Sequence, residues 1–498
     1  MRLRHLAERV AGAVVEAGPD AEVRAVVHDS RRAGPGDLFV AVRGLRADGH
    51  EFAATAAASG AAVALERPVP LPARTPRLRL EDSRLGMAEL AAALHGHPSR
   101  RLVVVGVTGT AGKSTTTHLV AAALEAAGLP VGYLSSVALR AAGPPVENDS
   151  GQTTLAAPEV QGWLARMASE GAAGAVLEVS SHALDQGRVA ACDFDVAAFT
   201  NVGHDHLEYH GTRAAYLRAK ARLIELCAAA AGKGPPKTAV LNLDDPSHDE
   251  LEAYPIARRL TYGIDRPADV RAAGIRPIGG GTAFRLCGGE ARAEVVLALA
   301  GRFNVANALC AAACGLALGL PLDRLAEGLS AFPGLRGRLE RVDLGQPFAV
   351  YVDFAHSAVG LASVLGELRR ATAGRLLVVF GASPRSGGHD PAGMGRAAAR
   401  FADRFVITTD DPVDADPAEL ASQVEAGVEG RQAGRDYEVE LDRRAAIRRA
   451  LALARPGDLV LLAGKGHERT LAVAGGPVPW DERAEAEAGL RALGLAAI

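Results

Sequence analysis

The stretch that most limits what this chain can become is Val103-Val104-Val105-Gly106-Val107. This apolar run ends in Thr108-Gly109-Thr110-Ala111-Gly112-Lys113-Ser114-Thr115 and passes into an alanine-rich helical pattern. A short run rich in β-branched residues reads as a strand buried on both faces. The glycines let it turn sharply into a helix whose first N–H groups converge on an anion. In such a loop the lysine meets the β- and γ-phosphates and the hydroxyl meets a magnesium ion, roles that fall to Lys113 and Ser114. Strict spacing for a loop of this type would put its first glycine where Val107 stands. The strand before the loop and the helix after it carry the assignment.

A chain of 498 residues exceeds one ordinary hydrophobic core, so about three domains are expected. Residues 1–98 alternate short apolar runs with turns and read as a small α/β unit, followed by a linker at His97-Pro98-Ser99-Arg100-Arg101. Residues 99–333 carry the phosphate loop and further strands at Gly174–Val179, Val196–Thr200 and Thr238–Asn242, the last preceded by an expected exposed loop at Gly232–Lys237. After Pro333-Gly334, residues 334–498 show strand patterns at Ala349–Asp353, Leu376–Phe380, Arg404–Thr408 and Leu459–Ala463, the rhythm of a second doubly wound sheet.

Basic and acidic residues number 55 and 58, and aromatics make up 4%, which leaves neither a basic groove nor stacking platforms for nucleic acid. Five cysteines without a CxxC pair suit a reducing compartment. Cys310 and Cys314 share a helix face, where core packing is preferred over a metal pair. No apolar run approaches the roughly 20 residues that span a bilayer, so no membrane insertion and a cytoplasmic location are expected.

The loop variant resembles that of the Mur ligase and folylpolyglutamate synthetase superfamily. Five other segments narrow the resemblance to the MurE branch, which adds the third amino acid of the cell-wall peptide. These are Asp29-Ser30-Arg31 with Pro35-Gly36-Asp37-Leu38-Phe39-Val40-Ala41, Glu178-Val179-Ser180-Ser181-His182-Ala183-Leu184, Asp205-His206-Leu207-Glu208-Tyr209-His210-Gly211-Thr212, Gly301-Arg302-Phe303-Asn304-Val305-Ala306-Asn307-Ala308, and Gly464-Lys465-Gly466-His467-Glu468. The resemblance implies an α/β protein of three-domain Mur ligase architecture: an N-terminal domain for the UDP end of the substrate, a central P-loop ATPase domain and a C-terminal Rossmann-like domain for the amino acid. It implies an ATP-dependent amide ligase that activates the carboxylate of UDP-N-acetylmuramoyl-L-Ala-D-Glu as an acyl phosphate and joins it to a free amino acid, in peptidoglycan synthesis. A monomer is expected.

The same resemblance distributes the site. Residues Thr108 to Thr115, with Asn304, Asn307, Arg338, Asp353 and His356, would hold ATP. Ser114, Glu178, His206 and Lys220 would hold magnesium, Lys220 as an N6-carbamate, and Lys113, Glu178, His206 and Lys220 would carry the chemistry. Ser30, Leu45, Arg46 and Ala47 would bind the uridine diphosphate, and Thr153, Thr154, Ser180, Gln186 and Arg188 the muramoyl peptide. Arg385, Asp410, Asp411, Pro412, Val413, Gly464 and Glu468 would meet the amino acid, with Glu468 drawing a side-chain ammonium.

Departures gather at that last site. Ala382-Ser383-Pro384-Arg385-Ser386-Gly387-Gly388 stands where the family has Gly-Gly-Asp-Arg-Asp, and Asp410-Asp411-Pro412-Val413 ends in valine where diaminopimelate-adding members have arginine. Ala111 replaces the usual asparagine of the loop, and Gly203-His204 replaces Thr-Arg or Ser-Arg. Two alternatives stay open: a related amide ligase with another peptide or specialised-metabolite acceptor, which retention of Ser30 opposes, and a non-catalytic ATP-binding homologue, which retention of Lys113, Glu178, His206 and Lys220 opposes.

Overall fold

In the computed structural model, which describes residues 1–44, 47–384 and 390–494, three large sheets follow one another along the chain, and a two-stranded hairpin, Thr470–Val473 with Gly476–Pro479, comes after the last strand of the third. The first has five strands, in the order Val14–Ala17, Arg77–Arg79, Ala62–Leu65, Asp37–Val40 and Ala25–Val27. All its pairings are parallel except the first.

The second sheet has eleven strands and is built around Val103–Thr108, which lies between Val196–Phe199 and Gly174–Glu178, both parallel to it. Consecutive strands therefore leave the phosphate-loop strand in opposite directions. That opens a crevice at the carboxyl ends, where open α/β sheets bind ligands. Burial on both faces explains the continuous apolar strands: Val105, Val107, Val176 and Val196 pack on one side, and Val104, Ala175, Leu177 and Ala197 on the other. The helix Arg302–Ala317 buries Cys310 and Cys314 in the first of these cores, so both are packing residues.

The third sheet runs Glu340–Arg341, Ala349–Asp353, Leu459–Ala463, Leu376–Phe380, Arg404–Ile407, Tyr437–Val439. It is parallel beyond its first strand and has separate cores on its two faces.

Two connecting segments are more tightly held than their composition suggests. The expected linker forms a 3-10 helix, Pro98–Arg101, with Pro98 and Ser99 buried; Ser99 Oγ accepts from the Asp193 N–H at 3.1 Å. The expected exposed loop at Gly232–Lys237 is pinned by its lysines. Lys233 Nζ donates to the carbonyls of Ser99, Leu102 and Asp193. Lys237 Nζ, buried, donates to Asp195 Oδ1 at 2.9 Å. Both ammonium groups satisfy buried acceptors, a long-range demand that loop composition does not reveal.

Candidate active site

The phosphate loop closes as its glycines require. Gly109 and Gly112 have φ of 155° and 81°. A Cβ on Gly109 would collide with Thr200 Oγ1, and one on Gly112 would lie 2.5 Å from Asn307 Oδ1. The helix Lys113–Ala126 starts directly at the loop, so its first N–H groups have no intrahelical acceptor and face the crevice. Asn201 braces the loop from the neighbouring strand end: its carbonyl accepts from the Thr110 N–H and its side chain bonds both the N–H and C=O of Ala111. The N–H groups of Thr110 and Ala111 are engaged by Asn201, which leaves those at the start of the helix to face an anion. The Oγ1 of Thr108 is buried without a partner among the described residues.

Lys113 Nζ donates to the Thr110 carbonyl at 2.9 Å. Burial lowers its pKa against the opposing pull of Glu178 and Asp205. Glu178, at the end of its strand, accepts from Ser114 Oγ at 3.0 Å and from the Ser136 N–H at 2.8 Å. Ser136 went unrecognised in the sequence; its place just beyond the carboxyl end of Val131–Leu134 is the signal that could have found it.

The most unusual charge is Lys220. It sits in the middle of the helix Arg213–Ala229 and is 1% exposed. Its Nζ donates to the Gly109 carbonyl at 2.6 Å and lies 4.4 Å from the centre of the Tyr216 ring. No carboxylate among the described residues is within ion-pair distance of it. Burial, then the nearby Lys113, push its pKa well below the ordinary lysine value.

A cavity of about 230 Å³ joins these groups: Lys113, His206, Tyr216 and Lys220 line it with Gly151, Gln152, Thr153, Ser180, Ser181, His182 and Arg188. Arg188 is held for a planar acceptor, its guanidinium donating to Gln152 Oε1, the Thr154 carbonyl and Gln186 Oε1 at 2.7–2.8 Å. Thr154 Oγ1 donates to the Glu178 carbonyl and accepts from the Ser180 N–H, while Ser180 Oγ caps the following short helix. His206 adopts φ 52°, and its ring lies edge-on to His182 at 4.8 Å.

Magnesium is the implied metal, and the residues fit it in one respect. Ser114 and Glu178 present hard oxygen donors beside the loop, and one or two protein oxygens are the usual protein share at a nucleotide-bound magnesium. Among the described residues no group of three or more His, Cys, Asp or Glu could hold a metal by itself. The site therefore suits an ion that brings phosphate oxygens with it.

The third sheet contributes from above. Arg338 Nη2 reaches Ser114 Oγ at 3.4 Å, and its guanidinium stacks on Phe354 at 4.6 Å. Its Nε is buried without an acceptor among the described residues. Asp353 accepts from the N–H groups of Leu339 and Ala355. His356 Nδ1 bonds the Phe354 carbonyl at 2.7 Å, and burial lowers its pKa. Asn307 Nδ2 donates to Asn304 Oδ1 at 3.1 Å, and Asn304 Nδ2 to the Ala300 carbonyl, which fixes Asn307 against Gly112 of the loop.

The expected amino-acid contacts form a charged nest. Lys465 is fully buried and donates to Asp411 Oδ1 and Glu468 Oε2, each at 2.6 Å. It was not singled out in the sequence, although it lies within a quoted segment. Burial raises Asp410 to about 7; its Oδ2 is buried without a hydrogen-bond partner among the described residues and occupies the space beside Gly464 that a Cβ would need. Asp411 and Val413 hold φ of 40° and 57°, and the Val413 N–H donates to the Ala472 carbonyl. Ser30 and Ala47 belong to the N-terminal unit and do not line the cavity. Leu45, Arg46 and Arg385 lie outside the described residues.

Family profiles cover most of the chain: "Mur ligase family, catalytic domain" matches residues 22–95, "Mur ligase middle domain" 107–315 and "Mur ligase, glutamate ligase domain" 337–466. The chain is 45% identical over 490 residues to the UDP-N-acetylmuramyl-tripeptide synthetase of Roseiflexus sp. (strain RS-1), covering 95% of each chain. It is 39% identical to the UDP-N-acetylmuramoyl-L-alanyl-D-glutamate--2,6-diaminopimelate ligase of Geobacillus thermodenitrificans, covering 99% of each. A solved structure of a ligase of that second name superposes with TM-score 0.66 at 29% identity, over 95% of each chain. A phosphate loop that shares a cavity with Arg188, and that Arg338 reaches from the segment before the third sheet, thus occurs in a chain that belongs to the Mur ligase family of ATP-dependent ligases.

Proposed function

We propose that this protein ligates an amino acid to UDP-N-acetylmuramoyl-L-Ala-D-Glu at the expense of ATP, in building peptidoglycan. Units 1–98, 99–333 and 334–498 would handle the uridine diphosphate, the phosphoryl transfer and the amino acid. The observation that carries this reading is the 230 Å³ cavity, where the phosphate-loop lysine and a pre-oriented arginine share one space. The reaction needs a phosphoryl donor and a carboxylate acceptor within reach of each other.

Lys113, the helix N-terminus and Arg338 would neutralise the transferring phosphoryl group. Arg188, with Thr153 and Ser180, would hold the acceptor so that its carboxylate oxygen attacks the γ-phosphorus of ATP, while the bond from that phosphorus to the bridging oxygen breaks and ADP leaves with the electron pair. The acyl phosphate is then attacked at its carbonyl carbon by the neutral amine; the C–O bond breaks, phosphate leaves with the electron pair, and the new amide gives up the amine proton. Magnesium, when bound through Ser114 and Glu178 with His206 nearby, would supply Lewis-acid neutralisation of phosphate charge.

Lys220 we read as an N6-carbamate in the working enzyme. What supports this is a buried amine with no carboxylate partner among the described residues, whose pKa burial and the nearby Lys113 lower, favouring the unprotonated form that attacks carbon dioxide. As a carbamate it becomes an anionic oxygen donor beside Lys113.

For the amino acid, diaminopimelate is disfavoured and lysine, ornithine or a neutral side chain fits better. Val413 offers a distal carboxylate no cation, and Lys465 already stands against Glu468, so any substrate ammonium must share that carboxylate. Phosphate release with UDP-N-acetylmuramoyl-L-Ala-D-Glu against a panel of amino acids tests the reading. Release only with another acceptor would move the protein to a different substrate.

A further inference from the structure

Glu147 ends the short strand Val146–Glu147 at the edge of the eleven-stranded sheet, far in sequence from the residues it meets. Its carboxylate accepts from Arg336 Nη1 at 2.9 Å and from Arg469 Nη2 and Nε at 2.6 and 3.0 Å. Asp481 Oδ2 accepts from the same two arginines, from Arg336 Nη2 at 3.2 Å and from Arg469 Nη1. Two acids and two arginines thus close a ring between the second sheet and the third.

Each side of the ring is next to a part of the site. Arg336 is two residues before Arg338, which reaches Ser114. Arg469 follows Glu468. Glu147 precedes Asn148, whose Nδ2 donates to the carbonyls of Ser135 and Gln152 at 2.8 and 2.9 Å and so anchors the segment whose Gln152 and Thr153 line the cavity.

The ring's side chains are 23–50% exposed. Exposed ion pairs each contribute only about 0.2–1 kcal/mol and are screened by salt. That is too little to hold a fold together and enough to bias an equilibrium between open and closed arrangements.

We propose that Glu147 is a positioning residue. The ring acts as a salt-sensitive latch that fastens the third sheet over the phosphate loop, bringing Arg338 and the Glu468 loop to the acceptor segment together. Its activity readout rests on the ligase reading above; its scattering readout does not.

The test uses the full chain, its Glu147→Gln and Arg469→Gln variants and the double variant. Phosphate release is followed from about 20 to about 300 mM salt, with thermal melting and small-angle scattering with and without a non-hydrolysable ATP analogue. The latch predicts kcat about five- to tenfold lower in each single variant, no further loss in the double variant, an unchanged melting temperature, and a salt dependence of wild-type kcat that the variants lack. The analogue should contract the wild type more than Glu147→Gln. Multiplicative losses in the double variant, a melting temperature that falls in step with activity, or equal salt dependence in all four proteins would overturn it. If the wild type releases no phosphate, the ligase reading has failed, and equal contraction in wild type and Glu147→Gln would then overturn the latch separately.

Discussion

The phosphate loop and the Asp410–Val413 loop both sit at carboxyl ends of parallel strands, yet they solve opposite problems. In the first, the positive φ values at Gly109 and Gly112 fall on residues that adopt them without strain. In the second they fall on Asp411 and Val413, and a β-branched residue in that region stores conformational energy of order 1–3 kcal/mol. The strained loop is held by a buried lysine between two carboxylates and by Ala472 of the hairpin Thr470–Val473/Gly476–Pro479, whose N–H donates to Asp411 Oδ1 and whose carbonyl accepts from the Val413 N–H. A loop that only cradles phosphate can be written in a few adjacent residues, whereas a loop that chooses among side chains is built from distant segments.

The sharpest way to break the comparison is at Lys113. Lys113→Ala should lower amino-acid-dependent phosphate release by about 10³-fold with an unaltered melting temperature, since its ammonium faces the crevice. Wild-type turnover in that variant would remove the phosphate loop from the mechanism.

Next in size is Lys220→Ala, expected to be nearly inactive and to recover partly with acetate, which could replace the carbamate oxygens. Intact-mass and peptide mapping of the wild type should find Lys220 heavier by one carbon dioxide when bicarbonate is supplied. An unmodified lysine in fully active protein would end that proposal.

The choice of amino acid is a smaller effect. An arginine–carboxylate clamp contains two charge-assisted hydrogen bonds of about 1.5–3 kcal/mol each. Without one at Val413, discrimination in favour of diaminopimelate should fall by about 10²-fold or more. Competition among equal concentrations of diaminopimelate, lysine and neutral amino acids measures this, with Arg385→Ala alongside. A diaminopimelate preference that survives Arg385→Ala sinks the idea; one that vanishes assigns the clamp to Arg385.

The smallest effect is on stability. The Asp410 pKa is raised by burial from 3.8 to about 7, so the folded state holds its proton more tightly than the unfolded chain. Its stabilising contribution is fully present below pH 3.8 and is lost as pH rises to about 7. Asp410→Asn should remove that slope and leave the protein about 1–3 kcal/mol more stable at pH 8 than wild type. Denaturant unfolding at pH 5 and pH 8 checks it; an unchanged slope would show that the carboxyl is ionised throughout.

Local pattern was enough to write much of this protein down. Thr238–Asn242, Ala349–Asp353, Leu376–Phe380 and Leu459–Ala463 are strands with the ends their apolar runs suggest, because a strand covered on both faces needs an unbroken apolar run whatever its neighbours are. The phosphate loop was legible for a similar reason: its turn, its lysine and its helix start are contiguous.

Side chains whose state depends on partners far along the chain were not legible in that way. By helix pattern alone Lys220 in Tyr216-Leu217-Arg218-Ala219-Lys220 is a solvated position, and only the packing of its helix against the loop buries it and lowers its pKa. Lys465 looked like one basic residue among glycines until the fold set Asp411 and Glu468 on either side. Glu147, an exposed acid on a two-residue strand, acquires its arginines only when the second and third sheets meet. Periodicity and turn chemistry act over a few residues and can be read from the chain, whereas desolvation and ion pairing are set by three-dimensional neighbours, and those exist only once the sheets have assembled.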